Sequence, residues 1–171
     1  MLVAIGIGSN IDPESNLKAA ATMLREEWPG IRFSSVVQSK ARDHEDQRDF
    51  LNAVAIMETD KSPKEILNKL QFIEQKLKKN PSFRFGPRTI DLDLLLYGEN
   101  VFPTNNAWKA YQQTSNALII PHPRMHERRF VLEPLCSLLS PNALHPMLRR
   151  NFQSLLNSVH DQQCTCTTVV L

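Results

Sequence analysis

The chain has 171 residues, 42% of them apolar, and a formal net charge of +2. That length fits one domain with a sizeable core, the charge balance gives no general case for nucleic acid or membrane, and no apolar run approaches the roughly 18 residues of a membrane span. Three cysteines, an odd number, argue against a disulfide framework and for a reducing, cytoplasmic setting.

The opening MLVAIGIGSN lacks a basic leader, and Gly6 and Gly8 break its apolar part. This predicts a buried strand over 2–8 ending in a Gly8-Ser9-Asn10 turn, not a signal peptide. Asp12-Pro13 reads as a helix start. Leu17, Ala20, Ala21, Leu24 and Trp28 recur at helical spacing, and Pro29-Gly30 is the stop. Residues 31–39 alternate as a second strand, and 40–48 form a polar loop. A third strand over 50–58 places Phe50, Asn52, Val54 and Ile56 on one face and Leu51, Ala53, Ala55 and Met57 on the other. Ser62-Pro63-Lys64-Glu65 is a capping box, opening a helix with Ile66, Leu70, Ile73 and Leu77 as its stripe. Asn80-Pro81 closes that helix, and 79–87 is a second loop.

Strand, helix, strand, strand, helix, strand is the split βαβ order of an α+β, ferredoxin-like βαββαβ core. It predicts a four-stranded antiparallel sheet with helices packed on one face. Beyond it come a short strand at Val101-Phe102, a polar insertion over 103–116 and a short strand at 118–120. A helix is expected from Met125 to Leu139, and another opened by Pro146 and carrying Leu148, Phe152, Leu155 and Leu156. These form a C-terminal helical extension. Residues 1–159 then make a single domain, and 160–171, with Cys164 and Cys166 in a spacing that fits no standard zinc pattern, make a loose tail.

The chemistry centres on the fourth core strand, about Thr89 to Tyr97, in FGPRTIDLDLLLYG. Ile90, Leu92, Leu94 and Leu96 share one face, the natural core face, while Asp91 and Asp93 stand together on the other. Two like charges side by side repel unless a cation sits between them, and Mg²⁺ favours one or two carboxylates plus substrate phosphates. Gly86-Pro87-Arg88 aims a guanidinium at the same rim. Carboxylates, cation and arginine together suggest phosphoryl chemistry.

The string GPRTIDLDLLLYG closely resembles the signature of 6-hydroxymethyl-7,8-dihydropterin pyrophosphokinases, folate-pathway enzymes that move pyrophosphate from ATP to a pterin alcohol. AIGIGSN, DFLNAV at 49–54, IPHP at 120–123 and the R-x-F of 128–130 match further motifs in order, so the resemblance spans roughly Val3 to Leu139. It implies Asp91 and Asp93 as ligands of two Mg²⁺ and Arg88 and Arg128 as catalytic phosphate-binding residues. It also implies Gln71, Glu74, Arg84, Phe85, Leu94 and His122 at the ATP, and Phe50, Asn52, Phe130, Ser39 and Arg42 around the pterin. The chain departs from the family at Phe85, where tryptophan is usual, in the single arginine of KKNPSFRF, and in the absence of prolines around Ser39-Lys40-Ala41-Arg42. Both loops are expected to order over bound ligands. The implied partners are ATP and the pterin alone, bound by a monomer; a nucleic-acid-binding sheet would present aromatics and basic residues, not paired aspartates.

Overall fold

The computed structural model describes residues 1–40, 47–78, 88–110 and 118–171. In chain order the elements are β1 (Leu2–Ser9), α1 (Pro13–Glu27), β2 (Arg32–Phe33), β3 (Val37–Ser39), β4 (Phe50–Glu58), α2 (Pro63–Lys76) and β5 (Asp91–Tyr97). They continue with α3 (Asn105–Lys109), a 3-10 turn (Met125–Glu127), α4 (Arg129–Cys136), α5 (Phe152–Asn157) and β6 (Cys164–Cys166). The sheet runs β5-β1-β4-β3-β6, with β2 also on β4, and every described pairing is antiparallel. Each of the two early helical connections therefore skips a strand: α1 leads from β1 beyond β4, and α2 leads from β4 across β1 to β5.

The sheet has six strands where the sequence predicts four. One extra comes from the expected strand at 31–39, which splits. Its register shifts by one residue between Phe33↔Ala55 and Val37↔Asn52. In the gap Ser34 Oγ accepts the Val54 N–H at 2.9 Å, so a hydroxyl stands in for a ladder carbonyl. The other is β6, which pairs with β3 although a loose tail was expected. Thr167 Oγ1 donates to Val36 O at 3.0 Å, and Val169 and Leu171 pack on the core.

Helices cover both faces, not one. Val3, Ile5 and Ile7 of β1 point with Ala53, Ala55 and Met57 of β4 toward α1 and α2, whose Leu17, Leu24, Ile66, Leu70 and Ile73 complete the first core. On the other face Ala4, Val54 and Ile56 meet Met125, Val131, Leu132, Leu135, Phe152 and Leu155, so the C-terminal segment is a second layer. β5 serves both. Between Leu94 and Leu96 the pairing with β1 slips by one residue. This bulge turns Leu96 away from the face of Ile90, Leu92 and Leu94 and puts it with Leu95 in the second core.

Local rules explain most ends. Ser62 and Glu65 form the expected capping box on α2, but Asp12 lies in the left-handed region (φ 41°) and its side chain caps nothing. The expected helix over 125–139 is interrupted at Arg128, which is extended (φ −123°, ψ 108°). Pro146 opens no helix; Asn151 does, its Oδ1 accepting the Gln153 N–H at 2.8 Å. Within the insertion Thr104 caps α3, and Phe102 pairs with Ile120 as a single bridge. No helix among the described residues is long and apolar enough to cross a membrane.

Candidate active site

The second face of the sheet is only partly covered. Where Ala4, Val54, Ile56, Leu95 and Leu96 meet the C-terminal helices it is buried. Farther along the same strands the residues on that face become Gly6 and Gly8, Asn52 and Phe50, Asp93 and Asp91. They line a cleft of about 130 Å³, walled by Arg124, Arg128, Phe130 and Val131, with Ser39, Lys40, Gln47 and Arg88 at its rim. Cross-strand register sets the order on the floor. Gly8 lies between Asn52 and Asp91, and Gly6 between Val54 and Asp93. The glycines keep the floor open: a Cβ on Gly8 would come within 3.1 Å of Asn52 Oδ1.

Asp91 is ion-paired with Arg88, and the backbone of Arg88 is held by the turn after β1. Asn10 N–H donates to Arg88 O at 3.1 Å, Arg88 N–H donates to Asn10 Oδ1 at 2.7 Å, and Ser9 Oγ donates to Thr89 O at 2.6 Å. Asn10 Nδ2 donates in turn to Gln47 Oε1 and Arg48 O. One buried asparagine thus ties together the segments that flank both polar loops. His122 enters from the far side, its N–H donating to Leu95 O at 2.8 Å. Its Nδ1 accepts from the Arg124 N–H at 3.2 Å, so Nε2 carries the hydrogen of the neutral ring. Burial holds its pKa below the ordinary histidine value; Asp93 and Asp91 oppose that shift, while Arg128 and Arg124 add to it.

The break at Arg128 separates two adjacent arginines by role. Arg128 lines the cleft with its guanidinium 5.7 Å from the Phe130 ring centre. Arg129 points away and is tied to Glu133 at 2.7 Å and to His160 O at 2.8 Å. Phe50 and Phe130, both half-buried, line the cleft. Asn52 is buried and its Nδ2 donates to Ser39 Oγ at 3.0 Å.

Among the described residues no group of three or more His, Cys, Asp or Glu side chains converges. A cation held here would have Asp91 and Asp93 as its protein ligands, two residues apart on one strand face, with the side-chain-free Gly6 and Gly8 opposite leaving room for non-protein oxygens. That donor set, two carboxylates and open positions, fits Mg²⁺.

A sequence model of the 7,8-dihydro-6-hydroxymethylpterin-pyrophosphokinase (HPPK) family matches residues 4–140. The chain belongs to this family. It is similar to the 2-amino-4-hydroxy-6-hydroxymethyldihydropteridine pyrophosphokinase of Aquifex aeolicus, at 35% identity over 86% of each chain. The Bacillus subtilis protein of the same name is 37% identical over 78% of this chain and 75% of its own. In fold it resembles HPPK-DHPS in complex with substrates, with a TM-score of 0.66 and 15% identity over 92% of this chain. Plasmodium falciparum HPPK-DHPS gives a TM-score of 0.62 at 14% identity. The chain spans 43% and 44% of those two longer chains.

Of the residues expected from the family signature, Arg88, Asp91, Asp93, Arg128, Phe50, Asn52, Phe130 and Ser39 meet in this cleft. His122 stands behind it, within electrostatic reach of both aspartates. Gln71 and Glu74 are not among the lining residues. Gln71 is exposed, and Glu74 is buried with its Oε1 accepting the Leu92 N–H at 2.8 Å. Leu94 points into the first core. Because Leu92 turns its N–H away from β1 toward Glu74, Leu94, two residues on, turns its backbone to the same free edge of the sheet. Arg42, Arg84 and Phe85 lie outside the described residues, as does most of each expected loop. Sequence reasoning missed Asn10, Lys40, Gln47 and Arg124. Arg124 had a readable signal, since it lies two residues from His122 in the same tight turn.

Proposed function

We infer that this chain transfers a pyrophosphoryl group from ATP to 6-hydroxymethyl-7,8-dihydropterin, giving AMP and the pterin pyrophosphate in folate biosynthesis. The observation that carries this reading is a single cleft floor. In a member of this family, two carboxylates suited to a cation stand across one intervening strand from a buried amide flanked by an aromatic ring.

In this reading Asp91 and Asp93 would hold two Mg²⁺, which when bound neutralise the triphosphate and ease loss of the alcohol proton. Arg88 exchanges its partner Asp91 for phosphate oxygens as ATP enters, and Arg128 takes charge that builds on the leaving AMP. Neutral His122 offers Nε2–H to the polyphosphate. Phe50 and Phe130 hold the pterin plane, and Asn52, steadied by Ser39, reads its edge. The ribose and base lie along the free edge of β5, where the Leu94 backbone faces outward. Glu74 acts there by positioning, since it holds Leu92 between the two aspartates. Transfer of this kind rests mainly on positioning and electrostatics.

The core is read as ferredoxin-like, supported by the β5-β1-β4-β3 order and its two strand-skipping helical connections. The whole chain is read as one domain, because β6 completes the sheet that the N-terminal half begins. A cytoplasmic location is read from three free cysteines, which suit a reducing compartment, and the chain is read as a monomer. The test is AMP release that requires both the pterin and Mg²⁺; AMP formed without pterin, or none at all, overturns the reading.

A further inference from the structure

Arg124 belongs to no motif invoked so far, yet its side chain lines the cleft with Arg88, Arg128 and the two aspartates. The side chain is only 19% exposed. Its charged neighbour is Glu127, whose carboxylate lies 3.7 Å from Nε, beyond hydrogen-bond length. Among the described residues its guanidinium makes no hydrogen bond. Arg129, next to the break at Arg128, behaves differently and is tied to Glu133, His160 O and Gln162 O. A guanidinium withdrawn from water while its fork of donors lacks acceptors is unfavourable. An anion with several oxygens offsets that cost, and a planar fork suits phosphate geometry.

The base of this side chain is fixed. Arg124 N–H is bonded to His122 Nδ1, His122 N–H to Leu95 O, and Pro121 O accepts the indole N–H of Trp108 at 2.8 Å. The turn is thus held from the sheet on one side and from the insertion helix α3 on the other. With Nδ1 accepting the Arg124 N–H the His122 ring is neutral, which leaves the arginines and Lys40 to supply positive charge at this rim.

We propose that Arg124 is a third phosphate-binding arginine of this cleft, whose guanidinium fork takes oxygens of the nucleotide's polyphosphate chain. The proposal rests on the pyrophosphokinase reading for the identity of the nucleotide, and on the cleft geometry alone for the affinity toward polyphosphate.

The test compares wild type with Arg124→Ala, the near-isosteric Arg124→Gln and the charge-retaining Arg124→Lys. Calorimetry with Mg²⁺ and either inorganic tripolyphosphate or a non-hydrolysable ATP analogue reads phosphate binding. A parallel titration with the pterin reads the other half of the cleft. Loss of a charge-assisted fork predicts about 10- to 100-fold weaker binding of both phosphate ligands in the Ala and Gln variants. Lysine should restore part of it, pterin affinity should stay within twofold, and KM for ATP should rise more than kcat falls. Unchanged tripolyphosphate and analogue binding in folded Arg124→Gln overturns the proposal, as does equal loss of pterin and phosphate binding. A wild type that binds tripolyphosphate through Arg124 but forms no AMP overturns the pyrophosphokinase reading and leaves the phosphate role of Arg124 standing.

Discussion

Replacing Asn10 by alanine should disturb the site without touching a residue that contacts substrate. The side chain is 3% exposed and makes three hydrogen bonds: from Arg88 N–H at 2.7 Å, to Gln47 Oε1 at 3.2 Å and to Arg48 O at 3.3 Å. Neutral hydrogen bonds contribute about 1 kcal/mol each net, and a donor left unpaired away from water costs about 1–3 kcal/mol. Two lost hydrogen bonds and one unpaired donor give an expected loss of about 3–5 kcal/mol. For a chain of this length that lowers Tm by about 6–20 °C. The catalytic effect should exceed what partial unfolding explains, because Arg88 and Asp91 lose a fixed anchor; misplacement of this kind costs about 10- to 100-fold in kcat. Asn10→Asp keeps the acceptor for Arg88 N–H and should retain more activity than alanine. Thermal unfolding and single-turnover kinetics on both variants read the two effects apart. An alanine variant with wild-type Tm and wild-type kcat would refute the role of Asn10 as the brace between the two loop bases.

Asp91→Ala and Asp93→Ala should each abolish measurable turnover while circular dichroism stays that of a folded protein; wild-type activity in either removes the cation assignment. Phe50→Ala and Phe130→Ala should each weaken pterin binding by about 1–3 kcal/mol, by analogy with base stacking on aromatic side chains, and leave ATP affinity nearly unchanged. Calorimetry showing equal damage to both ligands would make these rings packing residues instead. His145 is fully buried, and burial, reinforced by the neighbouring His126, lowers its pKa from 6.5 to about 4. The unfolded chain takes up that proton near pH 6.5 and the folded chain only near pH 4. Stability from this residue is thus full above the first value and is lost as pH falls toward the second, up to about 3 kcal/mol. Urea titrations at pH 7 and pH 4.5 should show His145→Gln losing less stability on acidification than wild type, and parallel losses would contradict the argument.

Much of this site is legible from period two alone. On β4 the alternation Phe50, Asn52, Val54, Ile56 against Leu51, Ala53, Ala55, Met57 carries straight into the two faces of the sheet. On β5 it holds for Asp91 and Asp93, then fails at Leu96, because the bulge is set by pairing with Ala4 and Ile5 on a strand far away in sequence. The glycines of β1 read locally as a break in an apolar run; their use as an open floor between Asn52 and Asp91 depends on register across three strands. The contacts that Glu74 and Asn10 make do not show in the sequence for a related reason. Their partners are backbone groups of Leu92 and Arg88, and backbone partners leave no residue-type signature. The tail CTC carries weak strand propensity, and its pairing comes from the exposed edge of β3.

The β,γ-pyrophosphoryl group of ATP should move to the pterin as one unit. ATP labelled separately at the α and γ phosphorus, incubated with the protein, Mg²⁺ and 6-hydroxymethyl-7,8-dihydropterin, tests it directly. All γ label should appear in a pterin diphosphate and all α label in AMP, in equal amounts. Gamma label in a pterin monophosphate with the α label in ADP would contradict it.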